Sequence, residues 1–254
     1  MRFSKFALAC LSALVLLPVL AQTETQRQSY VSIIIDDLGY SKEDGRHVTA
    51  LPGPVACSIL PHTPYARDIA ELARKNKKEV LLHLPMESTQ TDKYPGPGKL
   101  DSTMSDLEIA ITIDRNLESV PFAAGINNHM GSRLTQVKEQ MDAVMATLKA
   151  KKTLMFIDSL TSTNSLAAES ARDIGLPYLV RDIFLDNVAK ESEINSQIDR
   201  LIQLSRKRGY ALAIGHPYPE TMAVLKNRLP RLGRQNVKLI SLAAMLELSQ
   251  QEVP

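Results

Sequence analysis

The stretch Val31-Ser32-Ile33-Ile34-Ile35-Asp36-Asp37-Leu38-Gly39 decides how the rest of the chain is read. A β-branched, apolar run stops at two adjacent carboxylates. Residues of that kind suit a buried strand, so the acids stand where the strand leaves the core. Neighbouring carboxylates repel unless a proton or a cation lies between them. A divalent metal, or a base beside a metal ligand, accounts for such a pair. An aspartate that only caps the next helix is the plainer alternative.

Outward from this stretch the same alternation repeats. Strands are expected at 31–35, 55–60, 79–82, 123–126, 153–157, 177–180, 210–214 and 237–241. Helices are expected at 65–78, 105–120, 135–151, 165–174, 194–209, 219–229 and 242–248. Ser105 with Glu108 three residues on reads as a capping box. The polar, Gly/Pro-rich stretch that follows Glu87, through Gly98, reads as a surface lid or substrate loop. Repeated β–α units predict a parallel sheet or barrel with helices outside, forming one domain over 31–250 behind a flexible lead-in at 22–30.

Nearly every expected strand ends in a polar cluster: Asp36-Asp37, His83, His129, Asp158, Arg181-Asp182 and His216. In parallel α/β folds the C-terminal strand ends share one face, and sites are built there. A capping aspartate explains one such end but not three of the five histidines. His83, His129 and one of the two aspartates make an Asp-His-His shell, the donor pattern of catalytic zinc. The other aspartate is then a general base or orients a histidine. His216 is placed to protonate a leaving group, with Asp158 or Arg181 to orient or polarise it. Each of these three histidines also has a plainer reading as a turn residue, and His47 and His62, in loops or on a helix face, carry no functional reading. The chain has no spaced cysteine pair, phosphate-binding glycine loop, HExxH helix or Gly-x-Ser-x-Gly elbow.

The N-terminus opens Met-Arg-Phe-Ser-Lys, runs uncharged from Phe6 to Leu20, and offers Val19-Leu20-Ala21 before Gln22. That is the pattern of a secretory signal peptide over 1–21. The run is short for a spanning helix, so the membrane is met only through this segment if it stays uncut. Its removal leaves 28 basic and 28 acidic residues. A neutral body gives no electrostatic case for nucleic acid. It also leaves Cys57 alone, which reads as a small buried hydrophobe. The expected location is periplasmic or secreted.

The motifs Ile-Ile-Ile-Asp-Asp-Leu-Gly, His-Leu-Pro-Met-Glu, Gly-Ile-Asn-Asn-His-Met-Gly-Ser, Phe-Ile-Asp-Ser and Ala-Ile-Gly-His-Pro-Tyr, in this order, resemble those of the divergent polysaccharide deacetylases. The resemblance implies an α/β fold, an irregular (β/α) barrel of about seven parallel strands with outer helices. It implies Asp36 as base, Asp37 as metal ligand and His216 as acid. Better-known relatives draw two histidines from a His-x-x-x-His segment. Here Glu87 stands four after His83, so His129 is the natural second histidine. Asn128 is a candidate to support a ligand or contact sugar, and Arg181 to hold a carboxylate; with Asp158 they form the expected substrate contacts. The expected activity is zinc-dependent (or another divalent transition metal) deacetylation of an N- or O-acetylated carbohydrate of the cell envelope, such as a peptidoglycan fragment. The alternative is a glycan-binding or envelope-assembly protein that keeps the fold without the catalysis.

Overall fold

The computed structural model describes residues 28–90, 92–152 and 154–251. The expected leader, most of the lead-in, Cys10 and Thr153 lie outside the described residues. The first half of the fold comprises β1 (Ser29–Leu38), α1 (Lys42–Thr49), β2 (Ala56–Ile59), α2 (Ala66–Lys75), β3 (Val80–Met86), α3 (Asp106–Ser119), β4 (Ala123–Met130) and α4 (Lys138–Ala150). The second comprises β5 (Met155–Asp158), α5 (Ala167–Asp173), β6 (Tyr178–Val180), β7 (Ile183–Phe184), α6 (Glu191–Arg208), β8 (Tyr210–Gly215), α7 (Pro219–Arg228), β9 (Val237–Leu239) and α8 (Leu242–Gln251). None of these helices is long and apolar enough to cross a membrane.

All strand pairings are parallel, in the order β6-β5-β4-β3-β2-β1-β8-β7, with β9 beside the first residues of β1. The two outermost strands are consecutive in the chain, joined by Arg181-Asp182 alone. The Arg181 N–H donates to Asp158 O on β5 (3.0 Å), and the Asp182 N–H donates to Leu212 O on β8 (2.9 Å). One short segment therefore stitches both sheet edges, and the sheet curls into a barrel-like α/β fold. Counting β6 and β7 as one broken strand gives seven positions around it, with β9 as an addition.

Strand alternation divides the core in two. Val31, Ile33 and Ile35 of β1 pack outward with the helices. Ile34, Ala56, Leu81, Met155, Ile157, Leu179, Leu212 and Ile214 fill the lumen, joined by Leu242 and Met245 of α8. Cys57 lies on the outer, helix-covered side, wholly buried, with burial pushing its thiol up to about 12.

Several boundaries differ from the sequence reading. β1 begins at Ser29, inside the expected lead-in, because β9 pairs with Ser29–Val31. α1 was not expected, since Val48 is its single apolar residue. It forms under the Ser41 cap and presents Gly45 to α2, where a Cβ would lie 2.5 Å from Ile69. β3 and β4 run on to Met86 and Met130, so His83 and His129 lie within strands. The capping box at Ser105 and Glu108 is present.

The barrel's N-terminal end is closed by α8. Glu79, just before β3, accepts the N–H groups of Leu242 (2.6 Å) and Ala243 (3.0 Å). These are unpaired donors of a helix start, where a carboxylate is also favoured by the helix dipole. Glu79→Ala is expected to lower stability by about 1 kcal/mol, measured by urea denaturation. An unchanged midpoint would show that the plug holds without this cap.

Candidate metal centre

A polar ring sits directly above the apolar lumen, and the two-residue period of a strand places it. Two residues beyond Ile34, Ala56, Leu81, Gly125, Ile157, Leu179, Phe184 and Ile214 stand Asp36, Ser58, His83, Asn127, Ser159, Arg181, Asp186 and His216. Each inner-facing apolar position is thus followed, one step up the barrel, by a group that can hydrogen-bond or ionise. His129 stands one step higher again on β4.

Within the ring, Asn127 is fully buried and bonded on all sides. Its Oδ1 accepts from Ser58 Oγ (2.6 Å) and lies 3.1 Å from His83 Nδ1. Its Nδ2 donates to Asp36 Oδ1 (2.9 Å) and Ser159 Oγ (3.2 Å). His83 and Asn127 are register partners on adjacent strands.

Asp37 follows Asp36 and, in a regular strand, would point away from it. Instead the register with β2 shifts between Ile35 and Leu38, and Asp37 has φ = 60°. A bulge of this kind re-aims a side chain, and it brings both aspartates to one site. Gly39 completes the turn at φ = 131°, where a Cβ would collide with Thr63 Oγ1.

The three donors meet. Asp37 Oδ1 lies 3.2 Å from His83 Nε2 and 3.0 Å from His129 Nδ1, and the two nitrogens are 3.1 Å apart. Donors held about 2.0–2.2 Å from one ion are separated by about 3–3.5 Å. Asp37 Oδ1 is buried and has no hydrogen-bond partner, so the nitrogens converge on it without an aligned N–H. A carboxylate with two imidazoles suits zinc or a neighbouring divalent transition metal. The residues therefore fit a metal ion, and Asp37, His83 and His129 form the one such cluster among the described residues.

The charges respond to one another. Burial would raise the Asp37 carboxyl, but the imidazoles of His129 and His83 hold it well below the usual carboxylate range. Burial would lower His83, but the carboxylates of Asp36 and Asp37 raise it. Asp36 Oδ2 lies 3.6 Å from His83 Nε2.

His216 faces the cluster from β8, its Nε2 3.8 Å from Asp37 Oδ2. Its Nδ1 lies 2.9 Å from Asp186 Oδ1, while Asp186 Oδ2 accepts the His216 backbone N–H (2.6 Å) and Thr221 Oγ1 (2.8 Å). Burial would lower this imidazole, but the Asp186 carboxylate and the two site aspartates raise it to about 9. Phe184 stacks on its ring, and Arg181 lies over Phe184.

Five of the expected residues, Asp36, Asp37, His83, His129 and His216, are thus brought together. Asn128 and Asp158 are not. Both fall on the opposite strand parity and are buried: Asn128 accepts from the Ser159 N–H and donates to Met130 O, and Asp158 accepts from the Leu160 N–H and Ser165 Oγ. Arg181 is in the ring, but donates to Ser159 O and Leu160 O. Glu87 accepts from the Ser102 N–H and anchors the loop after β3. Asn127, Ser58 and Asp186 were missed. Asp186 ends an apolar run as Asp36 does, but β7 is too short to signal a strand.

The family model described as divergent polysaccharide deacetylase matches residues 33–246. YibQ of Escherichia coli K12, an uncharacterized protein, is 37% identical over 221 residues, 87% of this chain and 68% of its own length. The structure of uncharacterized ATU2773 from Agrobacterium tumefaciens C58 aligns with a TM-score of 0.82 at 23% identity, covering 86% of this chain and 89% of that one. Peptidoglycan deacetylase PdaC from Bacillus subtilis aligns at 0.54 and 10% identity, covering 89% and 94%. A CE4 family pseudoenzyme, BA3943 of Bacillus anthracis, aligns at 0.52 and 12% identity, covering 86% and 66%. At these identities the structural likenesses are likenesses of fold. With a family model spanning most of its length and a curated relative above one-third identity, the chain belongs to the divergent polysaccharide deacetylase family.

Proposed function

We propose that this protein is an exported, metal-dependent hydrolase that removes acetyl groups from an N- or O-acetylated carbohydrate of the cell envelope. The observation that carries the reading is the convergence of Asp37, His83 and His129, with Asp36 and His216 beside them. Family membership supports the substrate class, and the charged, then apolar N-terminal sequence supports export.

Asp37, His83 and His129 would hold a divalent transition metal, which supplies Lewis acidity toward water and an acyl oxygen. Asp36 accepts the proton that water loses as it attacks the acetyl carbonyl. His216 gives a proton from Nε2 to the departing nitrogen or oxygen. Asp186 holds the other ring nitrogen, so Nε2 is the one turned to the site. Phe184 stacks beside the imidazole, with ring centroids 5.9 Å apart. A second reading is glycan binding without turnover, since the same fold is held by a pseudoenzyme as well as by a deacetylase.

Metal analysis of the purified protein, with acetate release from acetylated chito-oligomers and peptidoglycan fragments, separates the two readings. Asp37→Ala is expected to lose bound metal, and unchanged metal content would sink the ligand assignment. Asp36→Asn is expected to keep the metal and lose turnover by about 10²–10⁴-fold. Metal retention with no acetate release by the wild type supports the binding reading.

Asp186→Asn tests the support of His216. Its titration, followed by NMR, is expected to move down from about 9 toward the ordinary 6.5. Because the folded value is raised, the stabilisation is complete below pH 6.5 and lost as pH rises through about 9. The stability gap between wild type and variant therefore narrows over that interval, and a gap that widens would contradict the pairing.

A further inference from the structure

We infer that Asn127 is a positioning residue that sets the tautomer of His83 and, through the same amide, the orientation of Asp36. The inference rests on the metal reading for its consequence, but its structural content is independent of any metal.

What each group can donate decides the arrangement. Asp36 is acceptor-only when ionised, so the Asn127 atom 2.9 Å from its Oδ1 is the NH₂ nitrogen. The opposite end of the amide is then the carbonyl oxygen, which can only accept. Ser58 Oγ donates to it from β2. His83 Nδ1, 3.1 Å away, must therefore carry a proton to bond it. A neutral His83 with its proton on Nδ1 has a bare Nε2, and Nε2 is the atom beside Asp37 and His129.

The same amide acts on Asp36. By holding Oδ1 it leaves Oδ2 toward His83 Nε2 (3.6 Å). Asn127 thus links groups from β1, β2, β3 and the end of β5 in one buried layer. Partners that orient a metal-binding imidazole set its basicity as well as its direction. A charge on Asp36 fixes the amide, and the amide fixes which nitrogen of His83 is available. Base and ligand are prepared together by one uncharged side chain.

The direct test is ¹⁵N NMR of histidine-labelled, metal-free protein at alkaline pH, where the ring is neutral. Wild-type His83 is expected to be protonated on Nδ1, and an Nε2–H signature there would overturn the inference. Asn127→Leu is expected to release the ring to Nε2–H or a mixture, and to weaken zinc binding by about 10–100-fold. An unchanged Nδ1–H signature in a folded Asn127→Leu would also overturn it. If that variant does not fold, Asn127→Asp serves: it keeps an acceptor for His83 and sets a second buried carboxyl against Asp36, so that the two share a proton and Asp36 is lost as a base. It is expected to retain the Nδ1–H form and near-wild-type zinc affinity while losing turnover, and loss of the Nδ1–H form would contradict the inference. Absence of zinc binding by the wild type would instead count against the metal reading, leaving the tautomer result to stand or fall separately.

Discussion

Two carboxylates on consecutive residues, at the mouth of an apolar barrel, demand a compensating positive charge. Asp36 is buried and Asp37 half-buried, and their mutual repulsion grows as water is excluded. The surrounding groups answer this demand. His83 and His216 are both raised above the ordinary imidazole value by nearby carboxylates, against a burial that would lower them. A metal ion satisfies the same demand with a fixed charge and a fixed set of donor directions, so the cluster is suited to exchange protons for a cation.

Geometry makes this economical in residues. The strand period alone raises one polar group from every position of the barrel into a single ring. Three of its members support two others: Ser58 and Ser159 bond Asn127, and Asn127 holds Asp36 and His83. Only Asp37 breaks the alternation, and it does so through a bulge with a left-handed residue. Strained backbone of this kind persists where the surrounding structure over-determines it. Here β2 on one side and the close approach of Gly39 to Thr63 on the other leave the chain little alternative.

The replacement of an expected second histidine by Glu87 also has a physical reading. The loop after β3 returns to pair Leu100 with the end of the strand, and Glu87 ties that return to Ser102. The position is committed to loop architecture. The second imidazole comes from β4, whose register with β3 places His129 beside Pro85, two residues above the His83–Asn127 pair.

By itself the sequence determined the alternation of strands and helices and the barrel-like class, and its strand-end clusters included the five residues that converge, because β-branched runs ending in acids or histidines are local patterns. It did not separate Asn127 from Asn128, or Asp158 from Ser159. Neighbouring residues on a strand face opposite sides, and only the register decides which side is the lumen. It also passed over Asp186, since a two-residue strand has no period to read. Tertiary structure decided those assignments, along with the bulge that turns Asp37 inward and the amide that links Asp36 to His83. Each depends on contacts between strands far apart in the chain, where hydrogen-bond donors and acceptors must be matched in three dimensions before any one of them has a role.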